Sequence, residues 1–317
     1  MRAPHLAHLV GIAPPPVREL DGLDAMLAAH YGVEHSAETD WPLAPIRVAA
    51  FGIDPGTAYW LAADPVTLVA GRDDVRLTGI VRDLDAYDAA TLIRMLNAHF
   101  ITDGIEFVAA RPDAWFVRAQ ENVRLRTRPL AAVTGRTLRD LLPVGSDAGT
   151  WRRWQNEIQM LMHEHPVNVA RERDGKAPAN SVWFSEGGTR PAHVATARAV
   201  KTFADAGIAI ALASHVGRPA RAVPVTFDSV LADSGDADVT IVVLAATHDL
   251  DTVERAWTSP AWTALLNGKL NAVTLLADGA DSARAWTARR PGPWRRRMLR
   301  FARHDLAPLF TALRDDT

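Results

Sequence analysis

The densest run of side chains able to do chemistry lies between residues 152 and 191. Arg152, Asn156, Gln159 and His163 follow at intervals of four, three and four, which places them on one stripe of a helix. The chain then reads His163-Glu164-His165-Pro166-Val167-Asn168, followed by Arg171, Arg173, Gly175, Pro178, Asn180 and Gly187-Gly188. Guanidinium, imidazole and amide groups converging after a helix end suit a phosphate or carboxylate, through charge-assisted hydrogen bonds. The anion contacts would be Arg171 or Arg173 with His165, Asn168 and Asn180, and Asn156, Gln159 and His163 adjoin them. The same residues also fit a structural loop, in which Pro166 breaks the helix, Asn168 makes a side-chain turn and the arginines stay solvated. A metal is the third option, but His163 and His165 give only two ligands, and the His-Glu-x-x-His spacing is absent.

These residues need elements to hold them. Trp151, Trp154, Ile158, Leu161 and Met162 share one face, so a helix opening at Asp147 or Thr150 is expected, ended by Pro166. Upstream, short strands are expected at 59–61, 66–70 and 75–81, a helix from Asp88 to about Phe100, and a hairpin from 105–109 and 114–118. Together they suggest an α+β domain over 55–145, inserted into an α/β core formed by 1–54 and 146–317. In that core, strands are expected at 8–12, 181–184, 208–213, 240–245 and 272–276, the third of these followed by His215. Helices are expected at 20–30, 194–206, 250–257, 262–266 and 293–313. The fold class read from this alternation is α/β, with αβα layers around a mostly parallel sheet.

Composition narrows the function classes. The 317 residues are 48% apolar and 23% charged, as in a compact globular protein. With no cysteine, disulfides, thiolate catalysis and Cys-ligated metals are excluded, and a reducing, cytoplasmic setting is expected. No apolar run suits a bilayer, so no membrane association is expected. A formal charge of −2 gives no general attraction to nucleic acid. The Arg284–Arg303 stretch holds eight arginines among Trp286, Trp294, Leu299 and Phe301. Such a tail can grip single strands. The preferred expectation is a helix whose apolar residues dock on the sheet, leaving arginines for acidic groups of this chain or of a protein partner. No Gly-x-Ser-x-Gly elbow, P-loop or Gly-x-Gly-x-x-Gly turn occurs.

The string from Asn156 to Asn168, with Arg171, Gly175, Pro178-Ala179-Asn180-Ser181-Val182-Trp183-Phe184 and Gly187-Gly188, resembles the signature of the RpfE-type regulatory protein family. Trp60-Leu61-Ala62-Ala63-Asp64-Pro65-Val66 and Leu96-Asn97-Ala98-His99-Phe100 match that family as well. The shorter core His165-Pro166-Val167-Asn168, Arg171, Gly175 and Pro178-Ala179-Asn180 is similar to the archaeal-type cofactor-independent phosphoglycerate mutases of the alkaline-phosphatase superfamily. The second resemblance implies an alkaline-phosphatase-like core with an inserted α+β domain, and two divalent ions such as manganese for phosphoryl transfer. It also implies a first strand ending in Asp-Gly and a late strand ending in Asp-His. Here Gly11-Ile12-Ala13 stands at the first position, and Asp278-Gly279 is the nearest match to the second. His248 and Asp249 are further metal candidates, although Asp249 and Asp251 also fit a helix N-cap and acidic first turn. The expectation is therefore a regulatory or ligand-sensing relative without catalytic residues or cofactor, binding an anionic small molecule. An active metal-dependent mutase or phosphatase is the alternative, and nucleic-acid binding through the tail the second.

Overall fold

The computed structural model describes residues 3–19, 21–71, 74–120, 123–192, 199–235, 237–245, 249–279, 282–299 and 305–314. Contacts divide the chain into two units, 1–27 with 195–317, and 28–194. The expected 55–145 segment thus shares its compact unit with 146–194, which the sequence had assigned to the other domain.

Helix α1 (Pro4–Ile12), strand β1 (Val17–Glu19) and helix α2 (Gly22–His30) open the chain. A buried strand over 8–12 was expected, and the helix corrects it. Leu6, Leu9 and Val10 are buried at helical spacing, and Pro4 sits in the first turn, where its missing N–H costs nothing. The comparison of Gly11-Ile12-Ala13 with a strand end therefore has no structural counterpart.

The middle unit holds α3 (Leu43–Ala50), β2 (Tyr59–Ala70), β3 (Val75–Ile80), α4 (Ala86–His99), β4 (Ile105–Arg111) and β5 (Ala114–Ala119). It continues with the short α5 (Leu130–Val133), then α6 (Ala148–His163), α7 (Pro166–Arg173) and β6 (Ser181–Gly188). The twelve-residue β2 organises this unit. It pairs antiparallel with β5 at 59–62, with β3 at 66–70 and with β6 at 60–66. Tyr59, Leu61 and Ala63 pack into a core with residues of α4 and α6, while Trp60 and Ala62 pack with Ala44 and Val48 of α3. Covered on both faces, β2 is buried along ten consecutive residues. Its Asp64-Pro65 step, expected as a turn, lies inside the strand. The Pro65 carbonyl receives the Val81 N–H, so its missing donor falls on the same edge, between Ala62, where pairing with β5 stops, and Val66, where pairing with β3 begins.

The remaining chain forms β7 (Val200–Phe203), α8 (Ile208–His215), α9 (Phe227–Ser234), β8 (Val239–Val242) and α10 (Leu250–Val253). A π-turn over Glu254–Thr258 joins α10 to α11 (Ser259–Asn267), followed by β9 (Ala272–Asp278), β10 (Ala283–Arg289), α12 (Pro293–Leu299) and α13 (Ala307–Arg314). Within the expected helix over 194–206 the described residues hold strand β7 at 200–203, and the expected strand over 208–213 is helix α8. β-branched Val200 and Thr202 suit the first, and alternating alanines suit the second. His215 accordingly closes a helix. Strands β7 and β8 pair in parallel, whereas β1, β10 and β9 form an antiparallel sheet. The fold is α/β, and β7–β8 is the parallel pair among the described strands. No described helix is long and apolar enough to cross a membrane.

Asp64 follows Trp60 and Ala62 on the α3 side of β2 and is 5% exposed. Burial raises its carboxyl to about 7; Arg47 opposes the rise, Glu186 and Asp113 add to it, and Arg82 opposes it. The folded value exceeds the unfolded one, so the stabilising balance is complete below about pH 4 and is lost as pH rises to about 7. In denaturant titrations Asp64→Asn is expected to flatten that fall, gaining up to about 4 kcal/mol over the native chain above pH 7. Parallel pH profiles for the two proteins would refute the assignment.

Candidate functional site

The polar run at 156–188 spans most of α6, all of α7 and all of β6, and the structure separates it into two groups. Asn156 and His163 are exposed and Gln159 is half-buried on the outer side of α6, and none of the three side chains forms a hydrogen bond among the described residues. Arg173 is exposed and pairs with its neighbour Asp174 at 3.0 Å. His165, Asn168, Arg171 and Asn180 come together, but their polar atoms face the protein's own chain.

His165 is the N-cap of α7, its Nδ1 accepting the Val167 N–H at 3.2 Å, and burial holds its imidazole below the usual range. Pro166 occupies the first helical position, where its fixed φ helps start a helix. Asn168, one turn on, is fully buried. Its Nδ2 donates to the carbonyls of Met162 (2.7 Å) and Ala179 (2.8 Å), and its Oδ1 accepts the Ala179 N–H at 2.8 Å. The Asn180 side chain meets Leu68 as a strand neighbour would, accepting its N–H at 2.7 Å and donating to its carbonyl at 2.8 Å.

Arg171 is 4% exposed. Its Nε donates to the Ala177 carbonyl at 2.9 Å, and its terminal nitrogens reach Asp83, at the carbonyl (3.3 Å) and at Oδ1 (2.5 Å). That hydrogen bond holds the Asp83 carboxyl below its ordinary value. Asp83 was missed in the sequence because 88 residues separate it from Arg171. An anion at Arg171 would have to displace a carboxylate already in place.

The other quoted motifs behave alike. Asn97 donates to the Phe107 carbonyl at 2.9 Å and accepts the Phe107 N–H at 2.7 Å, joining α4 to β4. At Gly187 a Cβ would strike the Tyr59 hydroxyl, and at Gly188 it would strike Pro42, so the glycine pair lets β6 pass close to both. Beside them buried Asp40, also missed in the sequence, accepts N–H groups from Thr127 at 2.7 Å and Gly187 at 3.1 Å.

The metal candidates divide similarly. His248 lies outside the described residues. Asp249 caps α10, accepting the Thr252 N–H at 2.7 Å and its hydroxyl at 2.9 Å, bonds that hold its carboxyl low. Asp278 ends β9 and accepts the Leu23 N–H at 2.9 Å in the first turn of α2; burial nonetheless raises its carboxyl. Glu254 serves α1 likewise, accepting N–H groups of His5 (2.8 Å) and Leu6 (3.1 Å). Burial alone would raise its carboxyl, but bonds from Thr258, His5 and Leu6 together hold it low. Among the described residues no three His, Asp or Glu side chains converge as a metal ion requires.

The tail is strand as well as helix. Arg284 and Arg289 lie on β10 with buried Trp286, and Arg295, Arg296 and Arg297 lie on α12. Arg300 and Arg303 are outside the described residues. Trp294, expected to dock, is 86% exposed.

No family model matches the chain. Among curated proteins it is similar to 2,3-bisphosphoglycerate-independent phosphoglycerate mutases. The Methanosarcina mazei protein is 29% identical over 164 residues, covering 46% of this chain and 41% of the relative. That of Methanosarcina barkeri is 26% identical over 155 residues, covering 47% and 37%. The chain thus spans less than half the length of these relatives in the matched region. Among solved structures, the cofactor-independent phosphoglycerate mutase of Thermoplasma acidophilum matches with a TM-score of 0.41 and 14% identity, covering 90% of this chain and 82% of that one. The PH0037 protein of Pyrococcus horikoshii matches with 0.47 and 12%, covering 91% and 80%.

Removing either buried amide strands backbone groups away from water. Asn168→Ala and Asn180→Ala are each expected to cost about 3 kcal/mol in chemical denaturation, from two or more unpaired groups. The exposed His163→Ala should stay within about 0.5 kcal/mol. Equal, small effects for all three would contradict these roles.

Proposed function

We propose that this chain is a cytoplasmic, non-catalytic regulatory protein of the RpfE type, a degenerate relative of cofactor-independent phosphoglycerate mutase that responds to a phosphorylated or carboxylate small molecule. Sequence similarity to the mutases supplies the ancestry. The observation that carries the loss of turnover is the use made of Asp249 and Asp278. A two-metal phosphotransferase needs carboxylate oxygens free to hold its ions and to activate a nucleophile. Here both oxygens of Asp249 accept hydrogen bonds within α10, and Asp278 accepts a backbone N–H of α2. These acids do not fit a dinuclear centre.

The resemblance to a regulatory family supplies the word regulatory, and the arginine-rich surface of α12 suits an acidic protein partner. Turnover decides between this reading and a working mutase. Incubation of the chain with 3-phosphoglycerate and manganese, cobalt or magnesium is expected to give no 2-phosphoglycerate and no free phosphate. Asp278→Ala is expected to lower stability by about 1 kcal/mol through loss of an N-terminal helix acceptor. Metal-dependent turnover abolished by Asp278→Ala would establish an enzyme instead.

A further inference from the structure

A separate cluster of cations lines a cavity of about 340 Å³ beside the parallel pair β7–β8. Its floor is Ala199–Thr202, one wall is the Arg218–Arg221 segment that follows α8, and the other is Ser234 and Ala237, between α9 and β8. Arg221 is drawn in by the sheet. Its N–H donates to the Thr202 carbonyl and its own carbonyl receives the Ala204 N–H, both at 2.9 Å, so Arg221 forms an isolated parallel bridge to Phe203 of β7.

The described acids near this cavity leave cationic donors over. Asp233 serves two cations at once, meeting Lys201 Nζ at 3.4 Å and the Arg221 guanidinium through a short bond that keeps its carboxyl low. Asp238 accepts the Ala199 N–H at 2.8 Å. Arg218 is exposed and its side chain has no acid or carbonyl partner among the described residues. Among the described residues three cations therefore face two carboxylates, and the Arg218 guanidinium keeps its planar fork unused.

We propose that this cavity binds a small anion through a phosphate or carboxylate group, with Arg218 as the bidentate contact beside Lys201 and Arg221, two cations that share the single carboxylate of Asp233. A volume near 340 Å³ falls at the small end of ligand sites, which suits a phosphorylated three-carbon acid or free phosphate. The inference deepens the proposed function by giving its anion an address. That address is apart from the motif around Arg171, where the guanidinium is already paired.

Calorimetric titration of the full chain with inorganic phosphate and with 3-phosphoglycerate, in chloride of matched ionic strength, tests it. Saturable binding is expected for at least one of the two, weakened about tenfold by Arg218→Ala and abolished by Arg218→Glu. Arg171→Met, if it folds, should leave the affinity unchanged. Tighter binding of 3-phosphoglycerate than of phosphate would identify an organic ligand, and equal binding would identify the phosphate group as the recognised chemistry. Absence of saturable binding, or an affinity indifferent to Arg218→Glu, would overturn the proposal and leave the non-catalytic reading standing. Turnover in the metal assay would overturn that reading and leave the cavity's affinity unaffected.

Discussion

Three asparagine side chains do the work of backbone in the middle unit. Asn180 pairs with Leu68, Asn97 with Phe107 and Asn168 with Ala179, each by one donated and one accepted bond. A carboxamide carries the same donor and acceptor as a peptide group, so it can extend a sheet or close a helix where no strand can reach. At buried Asn168 and Asn180 each such bond must be made, because an unmade one leaves a desolvated group behind. The placement of α7 against α6 and of β6 against β2 follows from these contacts.

A motif rich in polar residues can thus owe its composition to folding. The run from His163 to Gly188 has the make-up of an anion pocket, yet its buried members face inward. His165 starts a helix, Arg171 meets Asp83 and two carbonyls, and the glycines give room to Tyr59 and Pro42. Residue type alone did not separate the two roles. Burial and partners did.

Much of the middle unit was legible in sequence. The 105–118 hairpin, the helix ending near Phe100 and the Trp-rich helix closed before Pro166 all have strong periodicity and clear punctuation. The cap at Asp249 was legible for the same reason. Short apolar runs were not, since 8–12 and 208–213 fit a buried strand or a buried helix equally, and both are helices. Nor did the sequence give a reason to join Arg171 with Asp83, or Arg221 and Lys201 with Asp233. Those pairings depend on the path of the chain between them.

The claim beneath this account is that the asparagine amides serve the backbone and not a ligand. Hydrogen exchange at the Leu68 and Ala179 amides measures it most directly, since each donates to one of those side chains. Both amides are expected to exchange only through global unfolding, at rates that 3-phosphoglycerate changes no more than it changes overall stability. Rapid exchange that becomes slow at these two amides alone when the ligand is added would contradict it, and would make the motif a binding site.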